Sequence, residues 1–320
     1  MYDSANKITM KKLNFLISLI TTDNDYQQEQ ALAAEEMARK LNVGLQIIYA
    51  ESDAINQSQQ LLKAIQAPLG SRPDGIMFEP VSGIGLPQVA RAAVAAGIGW
   101  VVLNCDVDYT KELRISNRAP VFGITSAHEE IGRIQGHQFR ALLPKGGSVL
   151  YIQGPSNSLP ATQRTIGMSQ TKPENVDVRM IRGRWTELSA NQAVSAWLRL
   201  STSRKAHIDV IGCQNDAMAA GAKKAFEELT TGEERKRWLS LPYTGVDGIP
   251  KTGLAWVQQG LLSATVVVPA NTGLAIKMLA QAIQTGSQPP ERTLTEPSSY
   301  PSLDTLAAKR VERTSIFAVK

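Results

Sequence analysis

At 320 residues with 43% hydrophobic side chains, the chain can bury one large or two moderate cores, and its size favours two lobes. Disorder is excluded by that composition. The formal net charge of +5 comes from scattered basic residues, and the clusters Arg179-Arg182-Arg184 and Arg235-Lys236-Arg237 lie near acidic or aromatic neighbours, so a solvated surface and no nucleic-acid partner are expected.

Met10-Lys11-Lys12 followed by Leu13–Ile20 has the outline of a charged and then apolar export signal, but no small-residue cleavage site follows it. The run is therefore predicted as the first strand, and Thr21-Thr22-Asp23-Asn24-Asp25-Tyr26 as the loop after it. An export signal is then absent or was removed before Met1: removal would mean a periplasmic or other extracytoplasmic location, and a cytoplasmic one stays open. No run approaches the ~18 apolar residues that span a bilayer.

A helix is predicted over about 27–41, then strand 45–49, helix 58–66, strand 75–78, helix 87–96 and strand 100–103. Pro87 suits a first helical turn, where its missing N–H is no loss. A second series follows Val121-Phe122-Gly123-Ile124-Thr125: helix 128–143, strand 148–152, helix 161–169, strand 176–181, helix 187–200 and strand 208–212. A small-residue helix starts at Ala217, and the stretch 227–241 reads as a surface helical insertion packed by Trp238. Strands around Tyr243–Val246 and within Leu261–Pro269 follow, giving the order strand, helix, strand, strand from Ile208 on. The tail 303–314 reads as a short amphipathic helix. Alternation of this kind implies parallel βαβ units with right-handed crossovers.

Chemistry is sparsely signalled. Cys105 and Cys213 each follow an apolar run and read as strand-end thiols, too few for a disulfide framework or a metal quartet. His128, His137 and His207 share no metal-ligand spacing; His128-Glu129-Glu130-Ile131-Gly132 begins like a zinc-protease helix, but Gly132 stands where the second histidine belongs. Gly83-Ile84-Gly85-Leu86-Pro87-Gln88 lacks the third glycine of a dinucleotide fingerprint, and neither a phosphate-binding loop nor a Gly-x-Ser-x-Gly elbow occurs. No cofactor, no metal and no enzymatic activity are expected.

Two apolar runs end in polar clusters, Ile208 through Gly212-Cys213-Gln214-Asn215-Asp216 and Tyr243-Thr244-Gly245-Val246-Asp247-Gly248. Open α/β sheets bind ligands at such strand ends. Together with Ala217-Met218-Ala219-Ala220-Gly221-Ala222, Leu261-Leu262-Ser263-Ala264-Thr265-Val266, and Tyr151-Ile152-Gln153-Gly154-Pro155 followed by Arg164 and Gly167, these clusters resemble, in order and spacing, the type I periplasmic binding protein superfamily. The likeness is to its ribose-binding-protein-like, sugar-binding branch, related to lactose-repressor-type effector cores. It covers most of the chain and implies an α/β fold of two similar doubly wound parallel-sheet lobes joined by a three-crossover hinge. The crossings would lie near Gly123–Ser126, Val267–Pro269 and Glu296–Tyr300, with residues 10–124 plus 269–296 forming the N-terminal lobe and 125–268 plus 297–320 the C-terminal lobe.

By position in the resembled pattern, the ligand-binding candidates are Asn24, Tyr26, Glu79, Asn104, Trp185, Asn215 and Asp247. A polyhydroxy ligand needs planar polar groups that donate and accept in pairs and an aromatic face against its apolar side, and this set supplies both. Each has a plainer alternative: Asn24 as a turn residue, Asp247-Gly248 as a turn dipeptide, Trp185 as core packing under Arg182 or Arg184. Asp216 is suggested as the cap of the following helix, and Arg164 as an arginine nearer structure than ligand. The chain departs from pentose and hexose binders of the family at Tyr26-Gln27, Cys105, Thr162 and Val267-Val268. These departures remove guanidinium donors and imply a hydroxyl pattern unlike that of ribose.

The resemblance implies a monomeric solute-binding protein that captures a sugar or related polyol between two lobes and presents the closed form to an ABC transporter permease or a membrane sensor. The alternative is the effector core of a lactose-repressor-like regulator without its DNA-binding head; the dozen or so residues before the first strand are too few for a helix-turn-helix.

Overall fold

The computed structural model describes residues 12–204 and 206–308. Twelve strands are present among them: β1 (Asn14–Leu19), β2 (Gly44–Tyr49), β3 (Gly75–Phe78), β4 (Gly99–Leu103), β5 (Val121–Ser126), β6 (Gly147–Gln153), β7 (Val176–Arg182), β8 (Val210–Cys213), β9 (Tyr243–Asp247), β10 (Ala264–Val267), β11 (Arg292–Thr295) and β12 (Ser298–Tyr300). They form two six-stranded sheets, ordered β11-β5-β4-β3-β1-β2 and β12-β10-β9-β8-β6-β7. Pairing is parallel from β2 through β1 and β3 to β4, and from β7 through β6, β8 and β9 to β10, with β12 antiparallel on β10. Strands covered on both faces need apolar residues at every position, and β3 and β4 are buried throughout.

By its contacts the chain divides into two units. The first holds the described residues up to Ile20, Gln30–Gly123 and Thr272–Arg292; the second holds Thr21–Glu29, Ile124–Asn271 and the described residues from Thr293. The sequence pattern placed the loop Thr21–Glu29 with the first lobe.

In the first unit the core centres on Phe78 and Trp100, whose rings lie 4.7 Å apart. Trp100 donates its indole N–H to Tyr109, whose hydroxyl donates in turn to the Gly85 carbonyl at 2.5 Å. Between Pro269 and Glu296, where the sequence pattern suggested no element, a helix Thr272–Thr285 buries Ala275, Ile276 and Leu279 at helical spacing. Gly75 and Gly99 at the starts of β3 and β4 leave room for the Leu279 side chain, which a Cβ at either position would strike. A helix Thr110–Ser116 is a second element without a sequence expectation.

In the second unit the insertion folds as a helix, Gly232–Ser240, whose Trp238 is 1% exposed. That indole stacks on Phe226 at 4.4 Å and meets Trp197 edge-on at 5.8 Å. The order strand, helix, strand, strand needs one amendment: a wide helical turn at Pro250–Leu254, continued as helix Ala255–Gln258, separates β9 from β10. It begins at Pro250, whose fixed φ suits a helical start.

The helices His128–Leu142 and Leu159–Thr171 of this unit lie in backbone contact. A Cβ on Gly132 would overlap the Arg164 carbonyl, and one on Gly167 the Glu129 carbonyl, so each helix supplies a glycine where the other's backbone passes. Gly132, which interrupts the zinc-protease spacing, is thus set by packing. The expected tail helix is helical over 303–308, and its remaining residues, 309–314, lie outside the described ones.

Candidate functional site

In the first unit, β3 and β4 end side by side, with Phe78 paired to Val102. Glu79 and Asn104 therefore project from neighbouring carboxyl ends. Asn104 is buried and left-handed, with φ 54°, a conformation that asparagine tolerates better than most side chains. Glu79 is half-buried; its N–H donates to the Ser18 carbonyl at 3.0 Å and its carbonyl accepts from the Gln57 side chain at 2.9 Å. Gln57 is fully buried, also donates to the Ser18 hydroxyl and accepts from Val81 N–H at 3.1 Å. One amide thus sets the path of the loop carrying Glu79, a role no sequence motif announced.

In the second unit Gly212 pairs with Thr244, and the register carried forward brings Asn215 level with Asp247. Asn215 caps the helix Asp216–Leu229: its side-chain carbonyl accepts from Met218 N–H at 2.9 Å, and its amide donates to the Trp185 carbonyl at 2.8 Å. The cap suggested for Asp216 therefore belongs to its predecessor. Asn24 has a parallel role. Its side chain accepts from Tyr26 N–H at 2.8 Å and Gln27 N–H at 3.3 Å, at the start of the helix Asp25–Leu41, and its amide reaches the Trp185 carbonyl at 3.4 Å. Tyr26 packs partly buried on the cluster of Ile131, Val246 and Val266.

Two side-chain amides thus converge on the carbonyl of Trp185, a residue with φ 68°. A bulky residue in this region costs about 1–3 kcal/mol and persists only where its surroundings over-determine it. The indole lies against Gly154, where a Cβ would overlap the ring, and the Arg164 guanidinium sits 5.4 Å from the ring centroid. Arg164 is itself buried and donates to the Gln214 carbonyl. Gln214 holds the centre of a polar network: it donates to the Tyr151 hydroxyl at 3.2 Å and to Thr165 at 2.9 Å, and accepts from Gly154 N–H at 2.8 Å. Arg164 is thus the arginine over the Trp185 ring, where the sequence suggested Arg182 or Arg184.

Asp247 closes β9 with φ 109°, and Gly248 follows at φ 61°. Behind this corner Asp216 is 3% exposed, its carboxylate accepting from the Thr265 hydroxyl at 2.7 Å and from Gly248 N–H at 2.8 Å. Burial, and next the charge of Asp247, hold the Asp216 carboxyl well above the usual aspartate range, against the opposing pull of Thr265, Gly248 and Arg164. Burial also raises the Cys213 thiol, and that of Cys105 to about 11, so neither is a reactive thiolate. A cavity of about 10 Å³, room for about one water, is lined by residues that include Asn24, Tyr26, Asn215, Asp216 and Asp247. A larger hollow of about 620 Å³ opens by Lys12, Arg39 and Asn42, at the amino ends of β1 and β2, the wrong end of the sheet for a ligand. Among the described residues no group of His, Cys, Asp or Glu could hold a metal ion.

Residues 15–288 match the family model described as periplasmic binding protein domain. The chain belongs to that family. A xylitol-binding protein of Mycolicibacterium smegmatis is 26% identical over 246 residues, 75% of this chain and 64% of the relative. The D-galactose/methyl-galactoside binding periplasmic protein MglB of Haemophilus influenzae is 35% identical over 112 residues, 35% of this chain and 30% of its own length. The chain thus spans less than two thirds of either relative. The crystal structure of a galactofuranose binding protein superposes with a TM-score of 0.77 at 21% identity, covering 95% of this chain and 99% of that one. The paired parallel-sheet α/β architecture is that of type I periplasmic binding proteins.

Proposed function

We propose that the protein is an extracytoplasmic solute-binding protein for a neutral sugar or polyol, which it delivers to an ABC transporter permease or a membrane sensor. The observation that carries this reading is the positive-φ backbone of two candidates of the second unit, Trp185 and Asp247. Strain of that kind gathers where side chains must be aimed at a ligand. Asp247 would accept from adjacent hydroxyls, and the Trp185 indole would cover an apolar ring face. Asn215 and Asn24 would serve through the Trp185 carbonyl they both hold, all three within the second unit.

Family membership and relatives named for xylitol and galactose support the ligand class. So does the lining of the small cavity, which includes Asp25 and Asp247 and, among the described residues, no lysine or arginine, and would repel an anionic sugar. Native mass spectrometry of the purified protein, followed by calorimetry with xylitol, D-galactose and myo-inositol, tests the reading. Micromolar or tighter binding of a neutral polyol is expected. Binding confined to sugar phosphates or uronates would overturn it.

A further inference from the structure

We propose that Asp216 is a positioning residue for ligand binding, one that never touches ligand but fixes the direction in which the Asp247 side chain leaves the backbone. The inference rests on the polyol-binding reading above. Four segments meet on the Asp216 side chain. One oxygen accepts from Thr265 of β10 at 2.7 Å, the other from Gly248 N–H at 2.8 Å, and Cβ atoms at Gly245 of β9 and Gly253 of the wide helical turn would each overlap one of those oxygens. The two glycines leave a slot that a carboxylate fills.

The second of these hydrogen bonds matters most. Gly248 N–H belongs to the peptide group that begins at the Asp247 carbonyl, and the same carbonyl accepts from Val268 N–H at 3.0 Å. The peptide plane is thereby pinned on both edges, by Asp216 on one side and by the chain after β10 on the other. Pinning that plane fixes ψ of Asp247, a residue already held at φ 109°. With both dihedrals set, the Cα–Cβ bond has one direction, and only the side-chain rotamer is left for the carboxylate to settle when ligand arrives. Such preorganisation raises affinity by sparing the ordering cost at the moment of binding. The charged and titratable groups that act on Asp216 are Asp247 at the corner, Arg164 on the helix Leu159–Thr171 and Cys213 on β8.

Calorimetry with xylitol and D-galactose on Asp216→Ala, Asp216→Asn, Asp247→Ala and the double variant Asp216→Ala/Asp247→Ala tests the assignment. Asp216→Ala should bind at least about 10-fold more weakly than the parent while melting cooperatively. In the Asp247→Ala background the same change should cost less than about 2-fold, because a residue acting through another has nothing left to position. Asp216→Asn can still donate to Thr265 and accept from Gly248, so it should stay within about 3-fold of the parent.

Multiplicative losses in the double variant would overturn the proposal. So would an Asp216→Ala protein that binds like the parent. Thr265→Val, which removes one anchor and keeps the volume, serves if the alanine variant does not fold; an unchanged affinity there would count equally against it. Hydrogen exchange at the Gly248 amide needs no ligand, and should quicken at least about 10-fold in Asp216→Ala and not in Asp216→Asn. A parent that binds only sugar phosphates or uronates and no neutral sugar or polyol would sink the polyol reading alone, while unaltered Gly248 exchange in Asp216→Ala would sink the positioning role alone.

Discussion

Replacing Asp247 by glycine should weaken binding while strengthening the fold. The residue sits at φ 109°, where a side chain costs about 1–3 kcal/mol and glycine costs almost nothing. Glycine returns about 0.5–1 kcal/mol of that as added freedom in the unfolded chain, leaving a net gain centred near about 1 kcal/mol. For a unit of this size the melting temperature should rise by about 2–4 °C. The lost carboxylate forfeits charge-assisted hydrogen bonds of about 1.5–3 kcal/mol, or about 10- to 100-fold in affinity. Asp247→Ala separates the causes, since it removes the charge beside Asp216 but keeps the strained backbone: it should lose the same affinity without the full gain in melting temperature. Scanning calorimetry and titration calorimetry on the three proteins measure both quantities. A lower melting temperature for Asp247→Gly, with its circular dichroism intact, would refute the strain argument, and parental affinity would show the acid to be a turn residue only.

Gly154→Ala should push a methyl group into the Trp185 indole, shifting tryptophan emission and weakening polyol binding at least about 10-fold, as fluorescence titration would show. Asn215→Ala should destabilise the protein by about 1–2 kcal/mol even without ligand, because it removes a helix cap and a donor to the Trp185 carbonyl; urea titration of the ligand-free protein measures it. Stability should also depend on the proton of Asp216. Its folded carboxyl titrates above the ordinary value of 3.8, so the native state holds a proton that the unfolded chain has already lost, and stability should fall as pH rises from about 4 through the raised value. Urea midpoints between pH 4 and 8 should show that slope in the parent and a flatter one in Asp216→Asn.

Strand positions were legible because runs such as Val101-Val102-Leu103 and Val149-Leu150-Tyr151-Ile152 are covered on both faces and carry no polar interruption. The strand-end polar residues were legible as a set, since a polar residue that ends an apolar run stands out in the sequence even where, like Asn104 and Asn215, it is itself buried. Their division of labour was not. Whether Asn215 or Asp216 caps the helix turns on a single residue of offset, and both types cap equally well in isolation. Asp216 could not be read as a buried acid, because the groups that hold it lie 49 residues away at Thr265 and 32 away at Gly248. Gln57 was hidden for a like reason, its partners at Ser18 and Val81 being distant in the chain. The left-handed backbone of Trp185 leaves no trace in sequence, since tryptophan is a residue that would not be chosen for it.

Gly132 bears on what this scaffold can become. One substitution, glycine to histidine, would complete the spacing that begins at His128-Glu129, and so by counting residues the chain stands a single step from a metal-binding helix. That step is barred. The new side chain would have to occupy the space where the Arg164 carbonyl passes, and Gly167 would still hold the opposite helix against Glu129, so the two helices would part before a metal could be held. Novel chemistry on this fold is therefore more accessible at positions such as Gly70, where an added Cβ meets open space, than along a helix whose glycines are committed to its neighbour.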